Sequence, residues 1–290
     1  MSLVVESVSH RNWEPWVFTA HELDDLEAFF RVYGFGVLRG LWTEEQMAEL
    51  TTQCVTAQNG VIAGTLDERH GNTILVDDAN SQIPFANYVQ YLTEVAPVSR
   101  DMILDPMVVE VMERWLGPER WLLEHQRFGV VYQDARPGKE SAYTRIGWHS
   151  DWQSAPHRDM WPSVAFTIHI DGTSPANGFL RVVPGSHLWA TPAPYRNANG
   201  VPVPDGSAPW GGYTDEPPPF EMPLGFEKVP GEIATYCERG DVLFHDAYLW
   251  HSAARASAEG TMRRHVRGGF YATDEASSTS EDDFVKNAAR

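Results

Sequence analysis

The stretch Ser163-Val-Ala-Phe-Thr-Ile-His-Ile170 alternates apolar residues with smaller or polar ones at a period of two, which is the pattern of a β-strand. Five further stretches after residue 120 have a similar character, and clusters of turn-forming residues separate them. They are residues 124–133, 147–152, 179–183, 241–244 and 265–271. Several short strands that follow a helical region predict two packed sheets or a barrel with helices outside. The predicted fold class is therefore mainly β with flanking helices.

The first 120 residues have the signals of helices instead. Apolar residues at helical spacing predict a helix over Leu23–Tyr33, and it runs into a short strand at 34–38. Thr43 and Gln46 form a capping-box pattern at the start of a second helix. A third helix is predicted to begin near Met107, after Asp105-Pro106, and to stop at Gly117. Residues 59–90 are polar and irregular, and we expect a long loop there.

These patterns predict one domain spanning residues 1–290. Its parts are a mainly helical segment (1–120), a β core (121–272) and a Ser- and acid-rich tail (273–290). The segment 188–235 interrupts the core and is rich in Pro, Gly, Trp and Tyr. It is longer than a simple connection, so it is interpreted either as a lid over a binding site or as a variable surface loop.

Composition limits the class of partner. The chain has 22 Lys and Arg against 40 Asp and Glu, a formal net charge of −18. Charge of this sign disfavours nucleic acid and anionic membrane surfaces as partners. The first residues lack the layout of a signal peptide, and no run of eighteen apolar residues occurs. Together with only two cysteines, Cys54 and Cys237, this predicts a cytoplasmic protein with free thiols.

Trp148-His149-Ser150-Asp151-Trp152 is the strongest chemical signal. Residues two apart on a strand point to the same face, so His149 and Asp151 can reach one metal ion together. Two histidines and one carboxylate form the facial triad of ferrous oxygenases, which leaves the other coordination positions open. The third ligand must come from another strand, and His251, a hundred residues later, is the predicted partner.

Other histidines and acids are weighed against this set. Two more His-x-acid triplets occur, His157-Arg-Asp159 in a polar stretch and His169-Ile-Asp171 before a turn. We expect the first to lie in a solvated loop and Asp171 to cap a turn. His245, six residues before His251, is an alternative ligand, but it follows the predicted strand 241–244 directly. His187 is expected to have a structural hydrogen-bonding role.

Four stretches carry a resemblance to a known family. They are Phe30-Arg-Val-Tyr-Gly-Phe-Gly-Val-Leu-Arg-Gly40 with the helix after it, Trp148–Trp152, Asn177-Gly-Phe-Leu-Arg-Val-Val-Pro-Gly-Ser-His187, and Gly240-Asp-Val-Leu-Phe-His-Asp-Ala-Tyr-Leu-Trp-His251. Over residues 24–274 the chain resembles the phytanoyl-CoA dioxygenase family of Fe(II)/2-oxoglutarate oxygenases. The resemblance implies a double-stranded β-helix (jelly-roll or cupin-like) core with the N-terminal helices packed on its outside.

The resemblance also implies roles for individual residues. His149, Asp151 and His251 are similar to the family's iron ligands, with O2 as the oxidant. Either Arg263 or Arg264 is similar to the residue that anchors the far carboxylate of 2-oxoglutarate. Family spacing favours Arg263, whereas alternation with Val266, Gly268 and Phe270 as an inward set favours Arg264. Further candidates for co-substrate contact are Gln126 and Ser252. Ala253 occupies a position where the family often has Ser.

The implied reaction is oxidation of a C–H bond of a small molecule, most simply hydroxylation, with release of succinate and CO2. Trp152, Trp161, Trp210 and Tyr213 are candidate substrate contacts, and they favour an apolar or aromatic specialised metabolite. Desaturation, ring closure, epimerisation and endoperoxide formation use the same ligands. A cupin-like metal enzyme that works without 2-oxoglutarate, as an isomerase or direct dioxygenase, is the alternative function. The sequence leaves open whether the chain is a monomer or a homodimer.

Overall fold

A computed structural model describes residues 14–71, 74–75, 85–86, 88–117, 120–122, 129–134, 148–151, 163–189, 196–197, 220–221, 228–254 and 256–272. The helices are α1 (Leu23–Tyr33), α2 (Glu44–Ala63), α3 (Leu92–Val95), α4 (Pro97–Ile103) and α5 (Pro106–Leu116). The strands are β1 (Val17–Thr19), β2 (Phe35–Arg39), β3 (Ile74–Leu75), β4 (Phe85–Ala86), β5 (Tyr88–Gln90), β6 (Arg120–Leu122), β7 (Gly129–Asp134), β8 (Ser163–His169), β9 (Leu180–Val182), β10 (Arg196–Asn197), β11 (Phe220–Glu221), β12 (Ile233–Thr235), β13 (Val242–Asp246), β14 (His251–Ala253) and β15 (Met262–Ala272).

Two sheets dominate the described part of the chain. The large sheet has the order β1-β2-β13-β8-β15-β7-β5, with β6 paired to β15. The small sheet has the order β12-β9-β14. Val182 of the small sheet packs between the sheets with Phe35, Val37 and Leu243 of the large one. These two facing sheets are the jelly-roll core that the sequence predicts, and the mainly β fold class is confirmed.

The helices cover the other face of the large sheet. Apolar residues of α1, α2 and α5 form one core cluster with β8, β13 and β15, including Leu26, Phe30, Leu50, Val111, Phe166, Ile168, Phe244, Val266 and Phe270. The large sheet is therefore buried on both faces, because the small sheet covers one and the helices cover the other. No helix in the described part of the chain has the length and apolar character that a membrane span requires.

Local sequence signals placed most helices correctly. Helix α1 has the predicted bounds, and α2 starts after Thr43 with both hydrogen bonds of the capping box. Helix α5 begins at Pro106, where the Asp105 side chain accepts from the Met107 N–H. The long loop expected at 59–90 is wrong in part: α2 continues to Ala63, and short strands occupy parts of 74–90. The short strand predicted at 34–38 is confirmed as β2, whereas β1 and β5 lie in the segment predicted to be mainly helical.

An ion pair joins β2 to the start of β13. Arg39 Nε donates to Asp241 Oδ1 at 2.8 Å, and its Nη2 donates to Oδ2 at 2.7 Å. The Asp241 side chain is 1% exposed, and its Oδ2 also accepts from the Glu238 N–H at 2.7 Å. Such a bidentate pair has fixed geometry as well as charge, so it fixes the position of β13 relative to β2.

Asp241→Asn is expected to lower the free energy of unfolding by about 2–3 kcal/mol, because it leaves the mostly buried Arg39 charge with only the more exposed carboxylates of Glu14 and Glu238. Asp24→Asn is the matched control, since Asp24 pairs with Arg114 at 2.6 Å but its side chain is 94% exposed. That change should cost less than about 1 kcal/mol. Urea unfolding measures both, and equal losses would show that the Arg39–Asp241 pair has no special weight.

Candidate metal centre

The backbones of His149 and His251 pair directly with each other. The His149 N–H donates to the His251 carbonyl at 3.0 Å, and the His251 N–H donates to the His149 carbonyl at 2.8 Å. This isolated antiparallel bridge places the two imidazole rings side by side, with centroids 4.2 Å apart. Residues that are a hundred positions apart in sequence are therefore neighbours because of two backbone hydrogen bonds.

The Pro-Gly-Ser-His stretch holds the second histidine in place. The Ser186 hydroxyl accepts from the Trp250 N–H at 2.8 Å, and the Val183 N–H donates to the Trp250 carbonyl at 3.0 Å. The stretch is itself held by the Gly185 N–H, which donates to the Tyr33 carbonyl at 2.9 Å. His187 lies near the Arg31 carbonyl, with its Nε2 at 3.3 Å. The contact of His187 is thus to α1, as a structural role requires.

Asp151 completes a three-residue cluster. One ligand atom from each of His149, Asp151 and His251 lies within 4.8 Å of the others. Asp151 Oδ1 is 3.8 Å from His149 Nε2 and 3.6 Å from His251 Nε2. Metal bonds of about 2 Å can join donor atoms up to about 4 Å apart, so these separations fit one ion between the three groups. All three side chains are at least 85% buried.

The backbone between the two near ligands differs from the strand predicted at 147–152. His149 is in the bridge, but Asp151 is already in a turn of 3-10 type. The Asp151 carboxylate nevertheless converges on the two imidazoles.

Hydrogen bonding and burial prepare these groups as ligands. His251 Nδ1 lies 2.9 Å from the Leu249 carbonyl, an acceptor that requires the proton on Nδ1 and leaves the Nε2 lone pair for a metal. Burial lowers the pKa of His251 to about 4, which favours the neutral ligand form. Burial alone would raise the pKa of Asp151, but the nearby histidines and Arg267 outweigh it and hold that pKa below its usual value. The donor set is thus two imidazoles, with that of His251 in its neutral form, and one carboxylate.

His245, the alternative ligand, lies on the other side of Asp151. Its Nε2 is 3.8 Å from Asp151 Oδ2, and its ring centroid is 4.4 Å from that of His251. The cluster able to hold a metal among the described residues contains His251 and not His245. His245 is therefore a buried neighbour of the carboxylate.

The two candidate arginines lie on opposite faces of β15. Arg264 is directed to the helix-covered face, where its Nε and Nη2 donate to the two oxygens of Asp171 at 2.8 and 2.7 Å. Arg263 lies on the inner face and is 5% exposed, and burial lowers its pKa to about 10. Its Nη1 would be only 3.2 Å from a Cβ built on Gly178, in the turn before β9. The absence of a side chain at Gly178 thus makes room for the guanidinium.

This arrangement corrects three expectations. Val266 and Phe270 pack on the helices, so the set interpreted as inward faces away from the candidate metal centre, and Arg264 goes with it. Asp171 is the ion-pair partner of Arg264 and not a simple turn cap. Ser252 alternates with His251 on β14 and pairs in register with Arg181, so it lies on the opposite face from His251.

Two histidines near Arg263 were not recognised from the sequence. His169 and His265 are partners in the β8–β15 register, and their ring centroids are 6.0 Å apart. In the sequence His169 is visible only as part of a His-x-acid triplet with Asp171 before a turn. His265 has no chemical signal besides its place in a predicted strand. Gln126, His157, Trp152, Trp161, Trp210 and Tyr213 lie outside the described residues, so their roles stay predictions.

The His169 imidazole makes stability depend on pH. Burial and the Arg263 charge lower its pKa from 6.5 to about 3. Below pH 6.5 the unfolded chain gains a proton that the folded chain does not, so stability falls as the pH falls. Between pH 7 and 5 this histidine should account for a loss of about 2 kcal/mol. In EDTA, His169→Gln should flatten the pH dependence of urea unfolding by that amount, and parallel curves would contradict this assignment.

Solved structures share the fold at low sequence identity. EctD from S. alaskensis with bound Fe matches with a TM-score of 0.58 and 18% identity over 94% of this chain and 79% of that chain. The epimerase SnoN of nogalamycin biosynthesis, in complex with Fe3+, alpha ketoglutarate and nogalamycin RO, matches with a TM-score of 0.56 and 18% identity over 87% and 84%. EvdO2 from Micromonospora carbonacea var. aurantiaca, complexed with 2-oxoglutarate, matches with a TM-score of 0.57 and 15% identity over 97% and 98%.

No curated protein matches the sequence at a significant level. The sequence model of one family does, under the description Phytanoyl-CoA dioxygenase (PhyH), and it covers residues 30–265. This range contains the three clustered ligands, the Pro-Gly-Ser-His stretch and both arginines. The resemblance drawn from the sequence is confirmed, and the chain belongs to the phytanoyl-CoA dioxygenase family.

Proposed function

We propose that this protein is an Fe(II)- and 2-oxoglutarate-dependent dioxygenase that oxidises a C–H bond of a small molecule, most simply by hydroxylation. The observation that carries the proposal is the convergence of His149, Asp151 and His251 within 4.8 Å. Asp151 supplies an anionic ligand from the protein itself, and this favours oxygenation over halogenation. The predicted cofactors agree with those of the neighbours EctD, SnoN and EvdO2, which were crystallised with iron, 2-oxoglutarate or both.

The donor set suits ferrous iron. Two neutral nitrogens and a carboxylate oxygen on one side of an ion leave adjacent positions open for a chelating 2-oxo acid and for O2. When bound, iron with 2-oxoglutarate supplies an oxidant from O2 that removes hydrogen from the substrate, while the co-substrate leaves as succinate and CO2. The chain itself fixes the ligand geometry, keeps His251 in the metal-binding tautomer and excludes water by burial.

Arg263 is the proposed anchor of the co-substrate's far carboxylate. Its guanidinium is always charged and can bind a carboxylate through two parallel hydrogen bonds. It lies on the same inner face of β15 as Arg267, whose charge acts on the metal ligands Asp151 and His251. A buried cation on the same strand face as Arg267 supports this role, because it can pair with the far carboxylate of a chelated dicarboxylate.

The type of oxidation and the class of substrate are less closely defined than the metal and the co-substrate. An epimerase is among the structural neighbours, so this fold supports reactions other than hydroxylation. The preference for an apolar or aromatic metabolite stands on the sequence alone, because Trp152, Trp161, Trp210 and Tyr213 lie outside the described residues.

Anaerobic protein mixed with Fe(II) and 2-oxoglutarate should develop the weak visible charge-transfer band of an iron-chelated 2-oxo acid. Asp151→Ala should abolish the band because it removes one of three ligands. Asp171→Ala is the matched control. Asp171 also ends a His-x-acid triplet, but it pairs with Arg264 on the face that the helices cover. Iron binding without a band would favour the alternative of a metal enzyme that does not use 2-oxoglutarate. Absence of iron binding would refute the metal centre.

Titration of the same band separates the two arginines. Arg263→Gln should raise the concentration of 2-oxoglutarate that gives half the band by about 10- to 100-fold, because charged hydrogen bonds to a buried carboxylate are lost. Arg264→Gln, one residue away, should leave it within about 2-fold. The assignment fails if Arg264→Gln has the larger effect.

A further inference from the structure

His169 and His265 form a pair inside the core that the metal centre does not use. The two residues are partners across β8 and β15. Arg263 lies two residues before His265, on the same face of β15, and its charge lowers the pKa of both rings. The three side chains therefore make one cluster on the large sheet, within the space between the two sheets.

Nitrogen atoms of this pair lack hydrogen-bond partners. Both ring nitrogens of His169 and Nδ1 of His265 are buried without one, and His169 as a whole is 4% exposed. Leaving such a group unsatisfied costs about 1–3 kcal/mol, so folded proteins rarely do it without a reason. His70 shows the contrast, since it is equally buried but its Nδ1 lies 3.1 Å from the Gln90 carbonyl.

Among the residues that the structure describes, the charged groups that shift the pKa of the two rings are all positive. Burial first, and then Arg263, lowers the pKa of His169. His265 is held well below its usual pKa by burial, Arg263, His169 and Arg267. The Cys237 thiol, which acts on Arg263, has a raised pKa and stays neutral. Among the described residues no carboxylate contributes to the shift of either ring, so the rings are neutral N–H donors beside a cation.

We propose that His169 and His265 complete the carboxylate-binding end of the co-substrate pocket and make it select dicarboxylic over monocarboxylic 2-oxo acids. This rests on the proposed function. A carboxylate offers about four acceptor positions, and a guanidinium fork occupies two of them. Each neutral imidazole donates its one N–H to a remaining position, so ligand binding gives that N–H the acceptor that it otherwise lacks.

The proposal predicts opposite effects on stability and binding. His169→Leu removes an unsatisfied polar group from a buried site, so the unliganded protein should become more resistant to urea. The same change should weaken binding of 2-oxoglutarate about 5- to 30-fold, measured by the visible band under anaerobic Fe(II). Binding of 2-oxopentanoate, which has the same chain length without the far carboxylate, should change less than about 2-fold. His265→Leu should act in the same direction.

Two further variants complete the experiment. His169→Gln keeps an N–H donor and should recover part of the preference for 2-oxoglutarate, which also tests the site if the leucine variant folds poorly. His70→Leu should lower stability and leave the preference unchanged, because its histidine already has a partner. Equal weakening of both 2-oxo acids, or an unchanged preference, would overturn the role of the pair while the parental band still supports the proposed function. No band in the parent protein would refute both.

Discussion

The site depends on the reciprocal backbone pairing of His149 and His251. Two hydrogen bonds of 3.0 and 2.8 Å place the metal-binding imidazoles in adjacent positions, and the carboxylate of Asp151, two residues after His149, converges on them. Other contacts maintain that pairing. The Ser186 hydroxyl and the Val183 amide hold Trp250 from the opposite side, and Gly185 connects the assembly to the end of α1. Pro184 to His187 is the most recognisable stretch that contains no metal ligand. It thus holds the second histidine, His251, in position.

Strand β15 separates two environments by simple alternation. Its outer set packs on the helices, and there Arg264 is neutralised by Asp171. Its inner set places Arg263, His265 and Arg267 in the space shared with the metal ligands. Arg264 is thus bound to an acidic side chain of the fold, whereas Arg263 lies beside two imidazoles with unsatisfied nitrogens, the setting proposed above for an anionic ligand. Adjacent residues of the same type can therefore have different roles.

Much of the fold and the metal ligands could be predicted from the sequence, because they depend on local or composite signals. Helix α1 and the capping box at Thr43 are local, and the two ligand-bearing stretches are distinctive in combination. The sequence could not predict which face of β15 points toward the site. Both faces of its sheet are buried, so apolar residues such as Val266 do not mark the face toward the site. At Asp151 the described backbone is a turn and not the predicted strand, and a metal ligand needs only a side chain that converges on the other ligands. His169 and His265 were missed because their juxtaposition arises only from the register of β8 against β15.

The distance in sequence between the paired histidines has a consequence for how the molecule assembles. Non-local contacts form late and slowly, because the entropy of closing a long loop must be overcome before they contribute. The His149–His251 bridge closes a loop of about a hundred residues that includes β8, β9, β12 and β13. The three ligands can therefore bind one metal ion tightly only after the strands between His149 and His251 have reached their native positions. A spectroscopic signal from the bound ion would then act as a kinetic reporter of complete folding and not of any single hairpin.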